Sequence, residues 1–294
     1  MIDPIRVLIL GGDGMLGHQL WKHFRFLPKF DTRVTLRGSF SQYQHLQLFN
    51  QAQTFVGIDV RQFERLVEIF TDFRPQVVVN AIGIVKQRAV AKDAIVSIEV
   101  NALLPHRLAL LCDAFQARLI HPSTDCVFSG KKGMYSENDE PDATDLYGRT
   151  KLLGEVHQQN ALTLRTSIVG LELDRKTSLI EWFLNAKTTV KGFRNAMYNG
   201  VTTVELAHLI EVLILKFPKL SGLYQVSSKP ISKYDLLQIV KVVFNVNTNI
   251  EADDTFVIDR TLDSTRFRDA AKYTAPSWTE MIQKLNMNSL EEKL

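Results

Sequence analysis

The sequence predicts an α/β protein with a Rossmann-type, doubly wound parallel sheet and a smaller C-terminal substrate-binding lobe. Three observations lead to this prediction. Short runs rich in valine and isoleucine recur in the first half of the chain, stretches with helical spacing lie between them, and a glycine-rich turn follows the first run. Nearly continuous apolar strands that alternate with helices are typical of a parallel sheet covered on both faces.

The expected strands are six short apolar runs, at 6–10, 33–36, 54–58, 77–80, 118–121 and 162–165. Between them, apolar residues recur at helical spacing, as in Leu16, Leu20 and Phe24. After residue 165 the pattern loosens into helices near 179–186, 204–217 and 232–244 and a strand near 223–226. We therefore expect one domain over residues 1–165, to which the strand at 223–226 returns, and a smaller lobe over residues 166–294.

Composition excludes several classes of protein. The 294 residues carry 35 basic and 32 acidic side chains, a net charge of +3 without the clustered basic stripe of a nucleic-acid binder. Cys112 and Cys126 are too few for a disulfide framework, which favours a reducing cytoplasm. The run Val7–Leu10 is too short to span a bilayer, and we expect no later segment to do so. A cytoplasmic protein without a membrane partner is therefore expected.

A glycine-rich turn directly follows the first expected strand and directly precedes an amphipathic helix. Gly11, Gly14 and Gly17 give the spacing Gly-x-x-Gly-x-x-Gly. Glycines at such a turn let the backbone approach a pyrophosphate, and free N–H groups at the helix start favour its negative charge. We therefore expect a dinucleotide cofactor to bind here, through Gly11, Asp13, Gly14, Met15, Leu16 and Gly17.

The residues after the second strand indicate which dinucleotide binds. An acidic side chain there hydrogen-bonds the ribose of NAD, whereas a basic one accommodates the 2′-phosphate of NADP. This chain has Arg37, followed by Gly38 and Ser39. A guanidinium and a hydroxyl together suit a phosphate, so NADPH is favoured and NADH is the alternative. The domain over residues 1–165 is thus expected to bind NADP(H).

Tyr147 and Lys151 lie one turn apart if a helix begins near Asp145. A nearby ammonium favours the phenolate and brings the tyrosine pKa from about 10 toward the working range. Such a tyrosine can give its proton to a carbonyl oxygen as hydride arrives, and the lysine can hold the nicotinamide ribose. Thr124 follows the fifth strand, at the sheet edge where ligands of parallel sheets bind, so its hydroxyl can fix the substrate carbonyl.

Together these motifs resemble the extended short-chain dehydrogenase/reductase family over nearly the whole chain. The segments Ser-Thr-Asp-Cys-Val-Phe-Ser-Gly at 123–130 and Tyr-Gly-Arg-Thr-Lys at 147–151 are most similar to the dTDP-4-dehydrorhamnose reductase branch. The resemblance implies a catalytic triad of Thr124, Tyr147 and Lys151. It also implies that further cofactor contacts come from Asp59, Val60, Asn80, Ala81, Ile82, Asn101, Tyr147 and Lys151.

The chain departs from the rhamnose reductases at three places. Cys126 stands where they usually carry tyrosine and Ile168 where they carry tryptophan, so a different sugar pocket is expected. His18 and Gln19 replace a glutamate that some members link to a metal, so we predict no metal. A cysteine at the offset of Cys126 resembles GDP-fucose synthase and the nucleotide-rhamnose epimerase-reductases, in which it helps to exchange a proton beside the 4-keto group. A thiolate can act as that base, and a small, inert, buried cysteine is the alternative.

The C-terminal lobe is expected to contribute most of the substrate site. The resemblance puts Thr166 and Ser167 near the nicotinamide and the sugar. Arg260 is favoured for the diphosphate, because guanidinium groups bind phosphate oxygens bidentately. Core packing is the alternative for Trp182, and Lys176 is the nearest candidate for a second proton donor. The full candidate substrate set is Val85, Lys86, Asp125, Thr166, Ser167, Trp182, Arg194, Asn199 and Arg260.

The favoured function is NADPH-dependent reduction of the 4-keto group of a UDP- or dTDP-linked 4-keto-6-deoxy sugar, with C3 epimerisation through Cys126 as an added step. A 4,6-dehydratase is disfavoured, because those relatives need a carboxylic acid where this chain has Cys126. A non-catalytic alternative is a regulatory subunit of methionine adenosyltransferase, which shares this fold. The nucleotide sugar is the expected partner, nucleic acid is not, and a homodimer is an open expectation.

Overall fold

The structure is a computed structural model that describes residues 3–86 and 89–290. Its strands are β1 (Ile5–Leu10), β2 (Phe30–Thr35), β3 (Thr54–Phe55), β4 (Val77–Asn80), β5 (Arg118–Pro122), β6 (Ala161–Arg165), β7 (Ile168–Val169), β8 (Val190–Phe193), β9 (Ala196–Tyr198), β10 (Val201–Thr202), β11 (Gly222–Gln225), β12 (Ile231–Ser232), β13 (Ile250–Asp253) and β14 (Ile258–Asp259). Its α-helices are α1 (Met15–Phe24), α2 (Phe40–Tyr43), α3 (Phe63–Phe73), α4 (Ala94–Ser97), α5 (Leu104–Ala114), α6 (Leu146–Leu153), α7 (Leu179–Leu184), α8 (Thr203–Lys216), α9 (Lys233–Val243), α10 (Thr265–Ala271) and α11 (Trp278–Leu290).

The chain forms two compact units, and it passes between them several times. Unit 1 consists of Met1–Ser123, Asp145–Leu164 and Ile210–Leu223, and unit 2 of Thr124–Thr144, Arg165–Leu209 and Tyr224–Leu294. The sequence predicted a boundary near residue 165 and one returning strand, so the observed division differs in two segments. Those segments are residues 124–144, which lie in unit 2, and residues 210–223, which lie in unit 1.

Specific hydrogen bonds explain both segments. Arg118 in β5 donates from its two terminal nitrogens to the carbonyls of Leu213 and Leu220, at 2.9 and 2.7 Å, which ties residues 210–223 to the sheet. Within unit 2, the Asp259 amide donates to the Gly130 carbonyl at 2.8 Å, which ties residues 124–144 to β14. Such long-range contacts have no signature in local sequence pattern.

Unit 1 is built on a parallel sheet. The strand order in the seven-stranded sheet is β11-β6-β5-β4-β1-β2-β3, and each neighbouring pair among β1 to β6 is parallel. The order 3-2-1-4-5-6 is that of the doubly wound dinucleotide-binding fold. β4 is buried along its whole length, as expected for a strand covered on both faces. The predicted fold class is therefore confirmed.

The predicted elements differ from the observed ones mainly at their ends. β2 begins at Phe30, three residues before the predicted start, and β3 contains only Thr54 and Phe55. The backbone of Gly57 has a φ of +70°, a left-handed conformation that cannot continue a strand. A sequence pattern locates an apolar run, but it does not reveal such a local turn.

The helical segment Ala94–Ala114 in unit 1 combines α4, one wider turn (Ile98–Leu103) and α5. With a mean hydropathy of 1.4 it is long and apolar enough to cross a membrane by length and composition, which the sequence prediction had denied for any later segment. Half of the apolar stretch within this segment is nevertheless buried in the fold. Leu104, Leu108 and Cys112 belong to the hydrophobic core. Packing against the sheet therefore explains the buried half of its apolar side chains.

Unit 2 contains three small sheets, with strand orders β10-β7, β12-β9-β14 and β13-β8. The middle strand of the three-stranded sheet, β9, ends at Tyr198, and the chain continues through Asn199 and Gly200 into β10. The helices predicted near 179–186, 204–217 and 232–244 correspond to α7, α8 and α9.

Candidate active site

The glycine turn lies between β1 and α1, as predicted. Gly11 has a φ of +82°, and Gly17, in the first turn of α1, packs against the Gly11 carbonyl, where an added Cβ would collide. The amides of Gly11 and Gly12 donate to the hydroxyl and carbonyl of Thr35, at 3.1 and 2.8 Å. These contacts hold the turn close to the carboxyl end of β2 and leave no room for larger residues.

The N-terminus of α1 offers donors for an anion. Gly14 is the N-cap, and it has no side chain that could satisfy the first-turn amides. The N–H groups of Met15, Leu16 and Gly17 have no partner inside the helix by its geometry, and the helix dipole adds positive potential there. The turn therefore fits the pyrophosphate of a dinucleotide.

Arg37 follows β2, and its side chain is two-thirds exposed. One terminal nitrogen lies 3.8 Å from a carboxylate oxygen of Asp59, which Arg61 contacts more closely, at 2.6 Å. Hydrogen bonds from Arg61 hold the pKa of Asp59 below its usual range. Because Arg61 already partners Asp59, the Arg37 guanidinium can turn toward a phosphate. Ser39 is the N-cap of α2, and its hydroxyl lies 3.0 Å from that of Ser41.

Other predicted cofactor residues have partners within unit 1. The Asp13 carboxylate accepts a hydrogen bond from the Tyr43 hydroxyl at 3.3 Å. The Asn80 side-chain oxygen accepts from the Ile82 amide at 3.2 Å and so shapes the Asn80-Ala81-Ile82 turn after β4. Val60 packs into the hydrophobic core, which leaves its backbone rather than its side chain for an adenine contact.

Asn101, which was expected to contact the cofactor, has its hydrogen-bond partners within unit 1. Its buried carboxamide accepts from the Ile84 amide at 2.8 Å and donates to the Ile84 carbonyl at 3.0 Å. A further contact of 3.4 Å reaches the Thr150 hydroxyl on α6. The side chain is therefore committed to holding the loop after β4 beside the helix that carries Tyr147. The family resemblance identified the residue, but it did not reveal this positioning role.

Helix α6 begins where the sequence predicted, because Asp145 is its N-cap and accepts from the Gly148 amide at 2.8 Å. Lys151 is buried, and its ammonium donates to the Pro122 carbonyl at 2.9 Å. Burial lowers the pKa of Lys151 to about 8, against the opposing effect of the Glu155 carboxylate. Lys151 and Tyr147 lie one turn apart on α6.

Two further residues surround this pair within unit 1. The Lys86 ammonium contacts Asp145 at 2.6 Å and lies 5.7 Å from the centre of the Tyr147 ring, so Lys86 belongs beside the tyrosine. His121 is fully buried, and burial together with the Lys151 charge holds its pKa well below the usual value. Its Nδ1 lies 3.2 Å from the Asn80 amide nitrogen. Sequence reasoning missed His121, because a histidine inside an apolar strand gives no signal of its partners.

In unit 2, Thr124 begins a short turn formed by Asp125–Val127. Its hydroxyl oxygen accepts from the Cys126 amide and donates to the buried Asp125 carboxylate, both at 3.1 Å. Cys126 is only partly buried, and its Sγ lies 3.8 Å from a terminal nitrogen of Arg260. Cys112, by contrast, is in the core, where burial raises its thiol pKa. The two cysteines therefore differ in burial and in the groups around their sulfur atoms.

Arg260 and Asn199, two predicted substrate ligands, have hydrogen-bond partners within unit 2. The Arg260 Nε donates to the Phe128 carbonyl at 2.8 Å, which directs the guanidinium to Cys126. Asn199 is buried, and its carboxamide accepts from the Leu262 amide and donates to the Leu262 carbonyl, at 2.9 and 2.8 Å. One N–H and one oxygen lone pair of Asn199 thus hold the chain around Leu262.

Tyr198 is a residue that sequence reasoning missed. It is buried, and its ring lies 5.3 Å from that of Trp278. Its hydroxyl is adjacent to Ser167. Burial raises the pKa of Tyr198, and the charges of Asp125 and Cys126 add to that effect. A neutral phenol therefore faces the same segment as the candidate cysteine. A tyrosine at a strand end carries no sequence signal of this kind.

The remaining candidates, apart from Thr166, are more exposed. Thr166 is buried, with its hydroxyl 3.3 Å from the Ser167 carbonyl. Trp182 is 43% exposed, so the alternative of core packing is wrong. Arg194 lies 3.7 Å from Asp254 and stacks on the Tyr234 ring at 5.3 Å. Lys176 is exposed. Val85, in unit 1, is 42% exposed and offers an apolar contact.

Comparison with known proteins assigns the chain to a family. Residues 5–236 match the family described as the RmlD substrate binding domain. The chain belongs to this family. The match covers most of the chain, so the resemblance to the rhamnose reductase branch is confirmed. As an RmlD-family protein, the chain shares the seven-stranded α/β fold that its strand order shows.

Individual relatives of this RmlD-family protein match it over only part of their length. It is 38% identical over 117 residues to the probable low-salt glycan biosynthesis reductase Agl14 of Haloferax volcanii, which covers 38% of this chain and 39% of that protein. It is 29% identical over 178 residues to methionine adenosyltransferase 2 subunit beta of Mus musculus, 59% of this chain and 50% of that protein. Each match spans half or less of the relative's length.

The solved structures show the fold alone. The dTDP-4-dehydrorhamnose reductase of Bacillus anthracis in complex with NADP superposes with a TM-score of 0.79 at 19% identity. That superposition covers 97% of this chain and all of the reductase. The two units of this chain thus have counterparts in a complete reductase.

Proposed function

We propose that this protein reduces the 4-keto group of a nucleotide-linked 4-keto-6-deoxy sugar with NADPH. The observation that supports this most strongly is the buried Lys151 ammonium, one helical turn from Tyr147. Burying a charge costs free energy, and groups with perturbed pKa values cluster at functional sites. The glycine turn, Arg37 and the family's reductases add support.

Each residue has one role in this proposal. NADPH, when bound, supplies the hydride. The α1 N-terminus binds its pyrophosphate, and Arg37 binds the 2′-phosphate. Tyr147 donates its phenolic proton to the ketone oxygen as the oxygen becomes an alkoxide, and the Lys151 charge stabilises the phenolate that remains. Thr124 is the third member of the triad that the family resemblance implies, and its hydroxyl would turn from Asp125 to the ketone oxygen.

The test is to incubate the purified protein with NADPH and a panel of dTDP-, UDP- and GDP-linked 4-keto-6-deoxy sugars. NADPH oxidation at 340 nm and the configuration of the product are measured together. We expect turnover with at least one dTDP- or UDP-linked sugar. If none of the sugars in the panel supports NADPH oxidation, the reductase proposal is refuted.

Arg37→Ala is expected to remove most of the preference for NADPH over NADH. A charge-assisted hydrogen bond contributes about 1.5–3 kcal/mol, so the affinity for NADPH should fall about 10–100-fold. Binding of NADH should stay nearly unchanged, because NADH has no phosphate for Arg37 to contact. Fluorescence titration with both nucleotides measures the two affinities. Equal losses for both nucleotides would contradict the role of Arg37.

We also propose that Cys126 makes the reaction a coupled C3 epimerisation. Its thiolate takes the C3 proton, the electron pair of that C–H bond delocalises onto the C4 ketone as an enolate, and a second acid returns a proton to the opposite face. The candidates for the second acid are the exposed Lys176 and the buried Tyr198, whose raised pKa makes it a weak proton donor.

In deuterated water, the wild type should therefore place solvent deuterium at C3 of the sugar, and Cys126→Ser should not. Cys112→Ala is the matched control, since that buried thiol has no role in the exchange. Nuclear magnetic resonance of the product gives the deuterium content at C3. A wild-type product without deuterium at C3 removes the epimerase step and leaves the reductase proposal intact.

A second candidate function is a non-catalytic regulatory subunit. It is favoured by the matches to methionine adenosyltransferase 2 subunit beta. Such a protein could bind a dinucleotide without turning over substrate. Co-purification with a stoichiometric adenosyltransferase, together with no NADPH oxidation on the sugar panel, would favour this function over the reductase.

We further propose that two copies associate through the helical segment Ala94–Ala114 and α6. Large aliphatic side chains are exposed there, a pattern typical of an interface: Ile95 (70%), Ile98 (47%), Leu103 (41%), Leu110 (65%) and Leu153 (64%). Glu99 and Arg107 lie four residues on either side of Leu103. Antiparallel pairing about Leu103 would bring each Glu99 to the partner's Arg107, as two-fold symmetry allows.

Leu110→Glu is expected to convert a dimer into a monomer, because two carboxylates would replace an apolar contact. The control is Val242→Glu on α9, where the side chain is 78% exposed and lies outside this surface. Size-exclusion chromatography with light scattering gives the mass of each variant. A monomeric wild type at micromolar concentration would overturn the dimer.

A further inference from the structure

Arg260 is held firmly beside Cys126 within unit 2. Its Nε donates to the Phe128 carbonyl at 2.8 Å, and the preceding Asp259 amide donates to the Gly130 carbonyl at 2.8 Å. Phe128 is itself fully buried and stacks on Tyr135, with ring centres 4.2 Å apart. The guanidinium is therefore anchored to the same short segment that carries Cys126, and one terminal nitrogen reaches Sγ at 3.8 Å.

Two other charged or titratable groups near Cys126, Asp125 and Tyr198, do not favour a thiolate. The buried Asp125 carboxylate is adjacent in the chain, and a negative charge there opposes ionisation of the thiol. Tyr198 interacts electrostatically with both groups, and its raised pKa keeps it neutral. In the described part of the chain, no carboxylate forms an ion pair with Arg260, so its positive charge is directed at the sulfur.

We propose that Arg260 is a positioning residue that maintains Cys126 as a thiolate, rather than a ligand of the substrate diphosphate. The inference rests on the proposed epimerase step, because it explains how a cysteine beside Asp125 becomes a base. The thiol proton leaves to solvent before substrate binds, and the guanidinium stabilises the negative sulfur through its N–H donor. The thiolate is then ready to take the C3 proton.

The inference is tested without substrate, by the rate at which iodoacetamide alkylates Cys126 across pH 5 to 10. Only the thiolate reacts, so the profile gives the apparent pKa of the thiol. We expect a pKa below the free-thiol value of about 8.5 in the wild type. Arg260→Gln should raise it by about one unit and slow alkylation at pH 7 about tenfold. Intact-protein mass spectrometry gives the rate, and peptide mapping assigns it to Cys126.

Three variants make the result specific. Arg266→Gln removes the same charge from an exposed side chain on α10 and should leave the profile unchanged. Arg260→Lys keeps a charge but loses the bond to Phe128, so it should restore part of the shift. Cys126→Ser should not be alkylated at pH 7, because Cys112 is buried.

A wild-type pKa at or above the free-thiol value would overturn the inference even if Arg260→Gln failed to fold. An unchanged profile in a folded Arg260→Gln would overturn it as well. Neither result depends on turnover. A low pKa with no deuterium at C3 in the product would instead refute the epimerase step while leaving the cysteine–arginine pair established.

Discussion

Replacing Tyr147 by phenylalanine is expected to lower kcat for ketone reduction by about 10²–10⁴-fold, the range of a lost general acid. The substitution removes one oxygen and leaves the ring on α6. The ring keeps its place near the Lys86 ammonium, 5.7 Å from the ring centre, so the local structure should persist. The loss should therefore fall on kcat rather than on folding.

Binding of NADPH separates this role from a structural one. Lys151, the glycine turn and Arg37 are intact in Tyr147→Phe, so the affinity for NADPH should match that of the wild type. Tyr224→Phe is the control, because Tyr224 packs on Phe267 and Arg266 through its ring. Turnover of Tyr147→Phe within about threefold of the control would exclude Tyr147 as the acid.

Much of unit 1 was predictable because its signals are local. The strand-turn-helix around Gly11 and the N-cap at Asp145 each depend on neighbours within a few residues. Periodicity then supplies the order of strands and helices, and the rules for parallel sheets supply the rest. The boundaries moved by a few residues where a single backbone conformation, such as that of Gly57, ends a strand.

Much of unit 2 was not predictable, for a physical reason. Arg260 was assigned to a phosphate from its charge, but its partners, Phe128 and Cys126, lie more than 130 residues away in the chain. Asn199 likewise binds the backbone of Leu262, 63 residues later. A side chain's chemistry can be read from sequence, whereas the group that satisfies it depends on tertiary contacts.

The same distinction applies within the acid-base pair. Sequence spacing placed Tyr147 and Lys151 on one helix face. It did not reveal that Lys151 is buried and donates a hydrogen bond to the Pro122 carbonyl. Burial is what changes the lysine's pKa and hence its chemistry. The buried ammonium that the proposed reaction needs is therefore expected to lower the stability of the folded state.

Lys151→Met is therefore expected to stabilise the protein at neutral pH while it removes activity. Burial lowers the pKa of Lys151 from 10.5 to about 8, so the folded state disfavours the ammonium. A shift of this size corresponds to a cost on the order of 3 kcal/mol at pH 7. Leaving the Pro122 carbonyl without its donor returns about 1–2 kcal/mol of that cost. The melting temperature should rise by a few degrees.

The pH dependence fixes the sign of this effect. Between pH 8 and 10.5 the unfolded chain holds a proton on Lys151 that the folded chain has released, so the wild type gains stability as pH rises. The advantage of Lys151→Met, about 1–2 kcal/mol, should therefore be full below pH 8, fall to zero between pH 8 and 10.5, and become a disadvantage of about 1–2 kcal/mol above pH 10.5. Differential scanning calorimetry at several pH values measures it, with Lys219→Met at an exposed site as the control.

Activity should follow the same group in the opposite sense. Because the Lys151 ammonium stabilises the Tyr147 phenolate, NADPH oxidation by the wild type should decline as pH rises through about 8, where the ammonium loses its proton. Stability and turnover would then change in opposite directions over one pH interval, which a purely structural lysine would not produce. A Lys151→Met variant that is less stable than the wild type at pH 7 would show that the ammonium is better solvated than its burial implies, and would remove the proposed cause of its lowered pKa.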